Sequence, residues 1–307
     1  MTVLRLMGVV VVASAMAACG GGSEEKGPPV DQTLEQASRA GAQAMSMGLS
    51  ALAVREYKAA LARAYERDDA GAIADSGFNL ALALMRANDP RAAMATINEV
   101  RAELDRRGVA TPAALFLAEA AAAYRNGAPD AALAALRPVL DDAGGDPDTL
   151  ARAWFIRGLI AADRGDGATL SRAIGALTTR KPSAEGASDF AADLAELQGR
   201  SALLQGRDVD ALALFERAAA DRQLALDYRG MARALAWAGD AAGRAGQTAR
   251  AAGLYLRAGR SALLQGDPAT ARPLLERADS LARQTGQGDV VDEVQRLRKA
   301  APANTRS

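Results

Sequence analysis

Histidine is absent from the 307 residues, and cysteine occurs once, at Cys19. The first absence excludes imidazole-based triads, cysteine–histidine nucleophile pairs and imidazole metal ligation within the chain. The second excludes an intramolecular disulfide and any cysteine-cluster metal site. Aromatic residues make up only 4%, although 50% of the chain is hydrophobic. Alanine supplies much of that apolar fraction, which suits closely packed helices and poorly suits sheets. A surplus of charge is missing too, with 37 basic and 37 acidic residues. The balance gives no general electrostatic reason to bind nucleic acid or an acidic membrane surface. No cofactor, metal or small-molecule substrate is expected, and any catalysis is left to carboxylates.

The cysteine has an informative position. Arg5 gives a short positive start, residues 6–15 are apolar, and Ala17 and Ala18 lead to Cys19. The apolar stretch is too short to span a bilayer comfortably. This order, ending in "MAAC", resembles a bacterial lipoprotein signal with its lipobox, with Met16 where leucine is usual. The resemblance implies cleavage before Cys19 and lipid on its thiol, so residues 1–18 are read as the signal and 19–31 as a tether. Gly20 stands where such proteins often carry the aspartate that retains them at an inner membrane. In a cell with two membranes this favours the outer one, with the domain facing the periplasm. Gly20, Gly21 and Gly22 are read as linker, because no strand precedes them and no GK[ST] follows.

Beyond residue 30 small and apolar residues recur at i, i+3, i+4 and i+7, broken by short punctuation. Breaks fall near Gly48, Asn88-Asp89-Pro90, Gly127, Gly165-Asp166, Gly206 and Gly246, about forty residues apart, and again at Gly266-Asp267-Pro268. A second set lies between them, near residues 68–71, 107–112, 141–147, 181–186 and 221–225. The unit is helix, tight turn, helix, looser turn, which is the signature of a helical solenoid. Asp208, Thr248 and Asp289 are candidate N-caps.

Small and large residues keep a fixed spacing in Gly199/Gly206/Ala211/Phe215/Ala218, Gly239/Gly246/Ala251/Tyr255/Ala258 and Gly259/Gly266/Ala271/Leu275/Ala278. Gly41/Gly48/Ala53/Tyr57/Ala60, Ala81/Asn88/Ala93/Ile97 and Ala120/Gly127/Ala132/Leu136 follow it more loosely, and Trp154, Gly158 and Gly165 mark another copy. The pattern resembles tetratricopeptide (TPR) repeats and covers nearly all of residues 32–285. It implies an all-α, right-handed TPR-like solenoid of antiparallel helix pairs, about six to seven repeats within residues 32–300. Antiparallel helices approach closely where side chains are small, and the large residue fills the space beside that contact.

The octapeptide "GRSALLQG" occurs at residues 199–206 and, sixty positions on, at 259–266. Sixty is one and a half forty-residue units. The helix between Gly246 and Gly266 must therefore serve two hairpins, or the phase slips by one helix. Helices are expected near 227–245, 248–265 and 268–285, then a polar cap near 289–300, which solenoid ends require, and a disordered tail over 301–307.

The search for chemistry yields little. Asp141, Asp142, Asp146 and Asp148 lack the spacing of a calcium loop. Ser201 and Ser261 lack a histidine partner and the flanks of a nucleophile elbow. The TPR resemblance leaves a concave groove, where such solenoids commonly hold peptides or helices. Its groove-facing positions fall on Arg39, Met45, Asn79, Met85, Arg86, Tyr124, Arg125, Arg152, Phe155, Arg200, Arg233, Trp237 and Arg244. The arginines lack a matching carboxylate at most of these positions, so one reading is a groove that accepts an acidic or C-terminal peptide segment; the other is that they are ordinary solvated faces of Ala/Arg-rich helices. Trp154 and Trp237 fit core and contact equally. The sequence reading is a lipid-anchored, non-catalytic envelope scaffold that binds a protein or peptide partner in an envelope, secretion or cell-wall complex. Its rivals are a self-associating structural lipoprotein and a cell-wall hydrolase using carboxylates alone.

Overall fold

The computed structural model describes residues 31–142, 144–179 and 187–300. The signal, nearly all of the tether, the break at 181–186 and the C-terminal tail named above lie outside them. Asp31, counted above with the tether, caps the first helix through its carboxylate and accepts ion-pair bonds from Arg63 and Arg67.

Fourteen α-helices follow one another with no strand among the described residues. They are α1 (Gln32–Ser46), α2 (Ser50–Glu66), α3 (Ala70–Arg86), α4 (Pro90–Arg106), α5 (Ala113–Arg125), α6 (Pro129–Asp141) and α7 (Pro147–Asp163). The series continues with α8 (Gly167–Thr178), α9 (Ala187–Leu204), α10 (Asp208–Leu224), α11 (Tyr228–Arg244), α12 (Thr248–Leu264), α13 (Pro268–Gln284) and α14 (Gly288–Ala300). The chain is an all-α, TPR-like solenoid of antiparallel helix pairs.

One joint recurs between helices. A residue with positive φ ends the helix, as at Gly48, Asp68, Asn88, Gly206, Leu226, Gly246 and Gly266. The next residue then sends its N–H back to the carbonyl five residues earlier, as Asp89 does to Leu84 at 2.9 Å and Asp267 to Ala262 at 3.0 Å. This satisfies an orphan carbonyl in a Schellman ending. The same residue then starts the following helix. Asp69, Asp89, Asp166, Asp227 and Asp267 each accept an N–H of the next first turn on a side-chain oxygen.

This economy corrects the expected caps. The cap position is fixed directly after the positive-φ residue, so Arg207 and Gln247 occupy it without a side-chain bond. Asp208 and Thr248 are already helical, and Asp289 lies in the first turn of α14. The two classes of turn also merge. The joints at Asp68 and Leu226 are as tight as those at the glycines, and α10 runs through the expected break at 221–225 to Leu224. Longer connections remain after α4 and α6.

The small-to-large contacts form as expected. A Cβ on Gly199 would lie 2.8 Å from Phe215, one on Gly41 2.8 Å from Tyr57, and one on Gly239 2.9 Å from Tyr255. Helix α12 does serve two neighbours: it gives Tyr255 to Gly239 of α11 and offers its own Gly259 to Leu275 of α13. Gly158, marked in the sequence, meets Leu197 of α9, while the approach of Gly77 to Val100 was not foreseen. The apolar core is serial, with four abutting clusters among the described residues in place of one centre. Helices α3, α5, α7 and α9 touch in a row, and the first three of them line the inner face.

Candidate functional site

The inner face closes into a channel of about 810 Å³. Met45 of α1 and Leu274 of α13 line the same space, so the array curls until its two arms face each other. They meet where Arg229, at the start of α11, donates to the carbonyl of Arg86 at 2.7 Å, across 143 residues of sequence. The wall alternates apolar surface from Leu82, Met85, Phe155, Trp237 and Pro273 with arginines from α3, α5, α7, α10 and α11.

Most of the arginines expected to be free are not. Arg152 bonds Asp189 at 2.5 Å and Asp193 at 2.8 Å. Arg233 grips Glu196 with two bonds of 2.9 Å. Arg200 is buried, pairs with Asp163 at 2.6 Å and lies 4.4 Å over the Trp237 ring. Arg244 pairs with Asp208 at 2.8 Å, and the exposed Arg39 pairs with Glu35 along its own helix. Sequence reading missed these pairs because most acids lie on another helix; the cross-helix offsets of 36 to 41 residues are the only signal.

The missed centre is on α9. Asp193 and Glu196, one turn apart, are both buried. Arg222, itself buried, bonds Asp193 at 2.5 Å and Glu196 at 3.3 Å and sits 5.6 Å over Phe155. All four carboxylate oxygens thus accept from Arg152, Arg222 or Arg233. Burial alone would raise Glu196, but Arg233, Arg222 and Arg200 outweigh it and hold its pKa at about 2. Burial raises that of Asp193. A carboxylate pair bound by arginine on every oxygen braces α7, α10 and α11 against α9. Gly230 makes room for this brace, since a Cβ there would fall 2.3 Å from Arg222 Cδ.

Among the described residues, three channel arginines, Arg86, Arg125 and Arg229, bond only neutral acceptors. Arg86 donates to the carbonyl of Met45 at 3.3 Å. Arg125 donates to the carbonyl of Met85 at 2.9 Å and to Asn88 Oδ1 at 3.3 Å. Burial, then the charges of Arg229 and Arg233, lower the pKa of Arg125.

Of the remaining expected residues, Met45, Met85, Phe155 and Trp237 line the channel. Trp237 also stacks on Phe215 at 6.0 Å, which makes it both core and wall. Tyr124 donates to Asp163 at 2.6 Å, and burial followed by that bond raises its pKa. Asn79 and Arg200 lie outside the channel wall, and the half-buried Trp154 packs against the cluster of α7, α8 and α9 and carries Arg157 at 5.2 Å. Asp146 caps α7 through Thr149, which accounts for one acid of the 141–148 loop.

No family model matches the sequence, and no curated protein matches it. Solved structures do resemble the fold. One is a tetratricopeptide repeat protein from Parabacteroides merdae, 14% identical, covering 86% of this chain and 100% of that one, with a TM-score of 0.48. Another is the TPR2AB domain of yeast Sti1 in a complex with pHSP90, 13% identical over 88% of this chain and 98% of that one, TM-score 0.36. A third is a signal-transduction ATPase with a tetratricopeptide repeat sensor from Pyrococcus horikoshii, 16% identical, TM-score 0.47. The likeness covers 86% of this chain and 43% of that protein. No helix among the described residues is long and apolar enough to cross a membrane.

Proposed function

We propose that the protein is a non-catalytic scaffold of the cell envelope, held by lipid on Cys19, whose domain over residues 32–300 grips a peptide segment of a protein partner. The observation that carries this reading is the channel itself. It is concave, about 810 Å³ in volume, walled by apolar and aromatic side chains, and built by helices from both arms of the array. Repeat solenoids use such surfaces to hold extended or helical peptides. The anchor rests on the order of Arg5, residues 6–15 and "MAAC" in the sequence, and on the Gly/Ser/Pro-containing stretch that follows. Placement in an outer membrane rests on Gly20 after the cysteine.

Two experiments test the parts separately. Crosslinking in intact cells should capture a protein partner, and the double variant Ala121→Phe with Ala236→Phe, which fills the channel from facing walls, should lose it. Undiminished capture by a folded double variant refutes the channel reading. Incorporation of a fatty-acid analogue should vanish in Cys19→Ser; persistence refutes the anchor.

A second reading, self-association, draws on one edge of the C-terminal arm. Leu224, Leu226, Tyr228 and Leu264 are exposed there, with Leu224 at 79% and Leu264 at 80%, and Gln265 bonds the carbonyl of Tyr228 across the edge. Leu224→Glu with Leu264→Glu should leave the elution volume of the protein unchanged on the scaffold reading and increase it on this one.

A further inference from the structure

Arg86, Arg125 and Arg229 are held in a manner that sets them apart from every other arginine of the channel. We infer that they form a carboxylate seat, built from both arms, that receives an acidic stretch of the bound peptide and ties the arms together. The inference rests on the scaffold reading above and adds the chemistry of the ligand.

Each guanidinium is aimed by a carbonyl at the C-terminal end of a helix. Met45 O of α1 holds Arg86, Met85 O of α3 holds Arg125, and Arg86 O of α3 holds Arg229. Those carbonyls carry the negative end of a helix dipole, which positions a cation without neutralising it. No carboxylate among the described residues forms an ion pair with any of the three, whereas Arg152, Arg222 and Arg233 share Asp189, Asp193, Glu196 and Asp227. The acids closest in effect to Arg125 are Asp267 and Asp227, yet Asp267 caps α13 through Thr270 and Asp227 holds Arg222. Their bonds among the described residues use one or two of the five donors of each fork. Like charges gathered in a partly enclosed space repel, and an entering anion relieves that repulsion while gaining charge-assisted hydrogen bonds.

The neighbouring wall decides between anions. Met45, Leu82, Met85 and Leu274 lie in the same channel. A hydrated inorganic ion leaves that apolar surface bare, while a peptide with acids beside aliphatic side chains covers it. Three separated guanidiniums also suit two carboxylates better than a single point charge. Because Arg86 and Arg125 belong to one arm and Arg229 to the other, a ligand that bonds all three adds a stronger bridge to the Arg229–Arg86 contact.

Calorimetric titration of the full chain in detergent tests this with a synthetic peptide of alternating leucine and glutamate, its glutamine counterpart, and a phosphoserine version. The glutamate peptide should bind at least about tenfold tighter than the glutamine peptide, and each of Arg86→Gln, Arg125→Gln and Arg229→Gln should cost about tenfold. Arg39→Gln, at an exposed pair outside the channel, should cost nothing. Amidated and free chain ends should bind equally, since the side-chain carboxylates fill the seat; loss of binding on amidation overturns it. Bound peptide should slow amide exchange at the end of α3 and the start of α11 together. Equal affinity for glutamate and glutamine peptides, indifference to the three arginines, or tighter binding of the phosphoserine peptide overturns the seat. So does protection confined to one arm. If the channel-filling double variant loses its partner while the arginine variants keep theirs, the seat falls and the scaffold reading stands. If neither loses it, both fall.

Discussion

A glycine in the middle of a helix normally costs about 1 kcal/mol relative to alanine. At residue 199 the balance reverses, because a Cβ would meet the fully buried Phe215 ring at 2.8 Å. Gly199→Ala should therefore destabilise by about 1 kcal/mol, overpacking outweighing the gain in propensity. Gly253, central in α12 with nothing within 4 Å of its Cβ, should do the opposite and stabilise by about 1 kcal/mol as alanine. Urea titration followed by circular dichroism would compare them; equal effects would mean that the close approach does not limit packing. Leu226 tests the joint. It holds φ at 57° where the later joints of this arm carry glycine, and it is exposed. Relief of left-handed strain, about 1–2 kcal/mol, exceeds the entropy that glycine loses. Leu226→Gly should raise stability by about 0.5–1 kcal/mol in the same titration. These contacts were legible because glycine is conspicuous among alanines and leucines. Gly77 was passed over for Ala81, and Gly230 carries no sequence mark, since its role depends on where Arg222 of the preceding helix arrives.

At the level of the element, α9 is the helix on which the others are braced. Removing one partner of a buried ion network leaves the rest uncompensated, so Glu196→Gln should cost about 3 kcal/mol at neutral pH. The pH dependence follows from the lowered pKa. A carboxyl group at 4.5 when unfolded and about 2 when folded adds stability above 4.5 and loses it as pH falls toward 2. Asp193, raised by burial, works in the other direction. The useful quantity is therefore the gap in unfolding free energy between wild type and Glu196→Gln, which should narrow across that window; a constant gap would show that Glu196 is not the titrating group. Helix existence, order and most ends could be read from the 3.6-residue periodicity and the punctuation. The brace could not, because i, i+3 acids on an amphipathic helix look like a solvated face until Arg152, Arg222 and Arg233 are brought to them.

For the whole molecule, serial packing leaves each end in need of a cover. Helix α14 supplies it with Val290 and Val294 inward and charge outward. Deleting residues 288–300 should expose the apolar faces of α12 and α13 and shift the protein to larger species in size exclusion. A monomer of unchanged stability would show that the cap is dispensable. The channel was legible only in part. The groove positions Arg86, Arg125, Phe155, Arg233 and Trp237 do converge on it. Curling of the array until Arg229 meets Arg86 is the sum of many small inter-helix angles, which no local pattern in the chain reports.

From Gly206 to Gly286 the joints fall every twenty residues, and the four rods between them are each 17 residues long. A spiral assembled from such interchangeable links has no obligation to change size by pairs. An in-frame gain or loss of one link would hand the terminal face from one rim to the other without breaking a contact further inside. The twin octapeptides, three links apart, sit where that arithmetic allows an odd step.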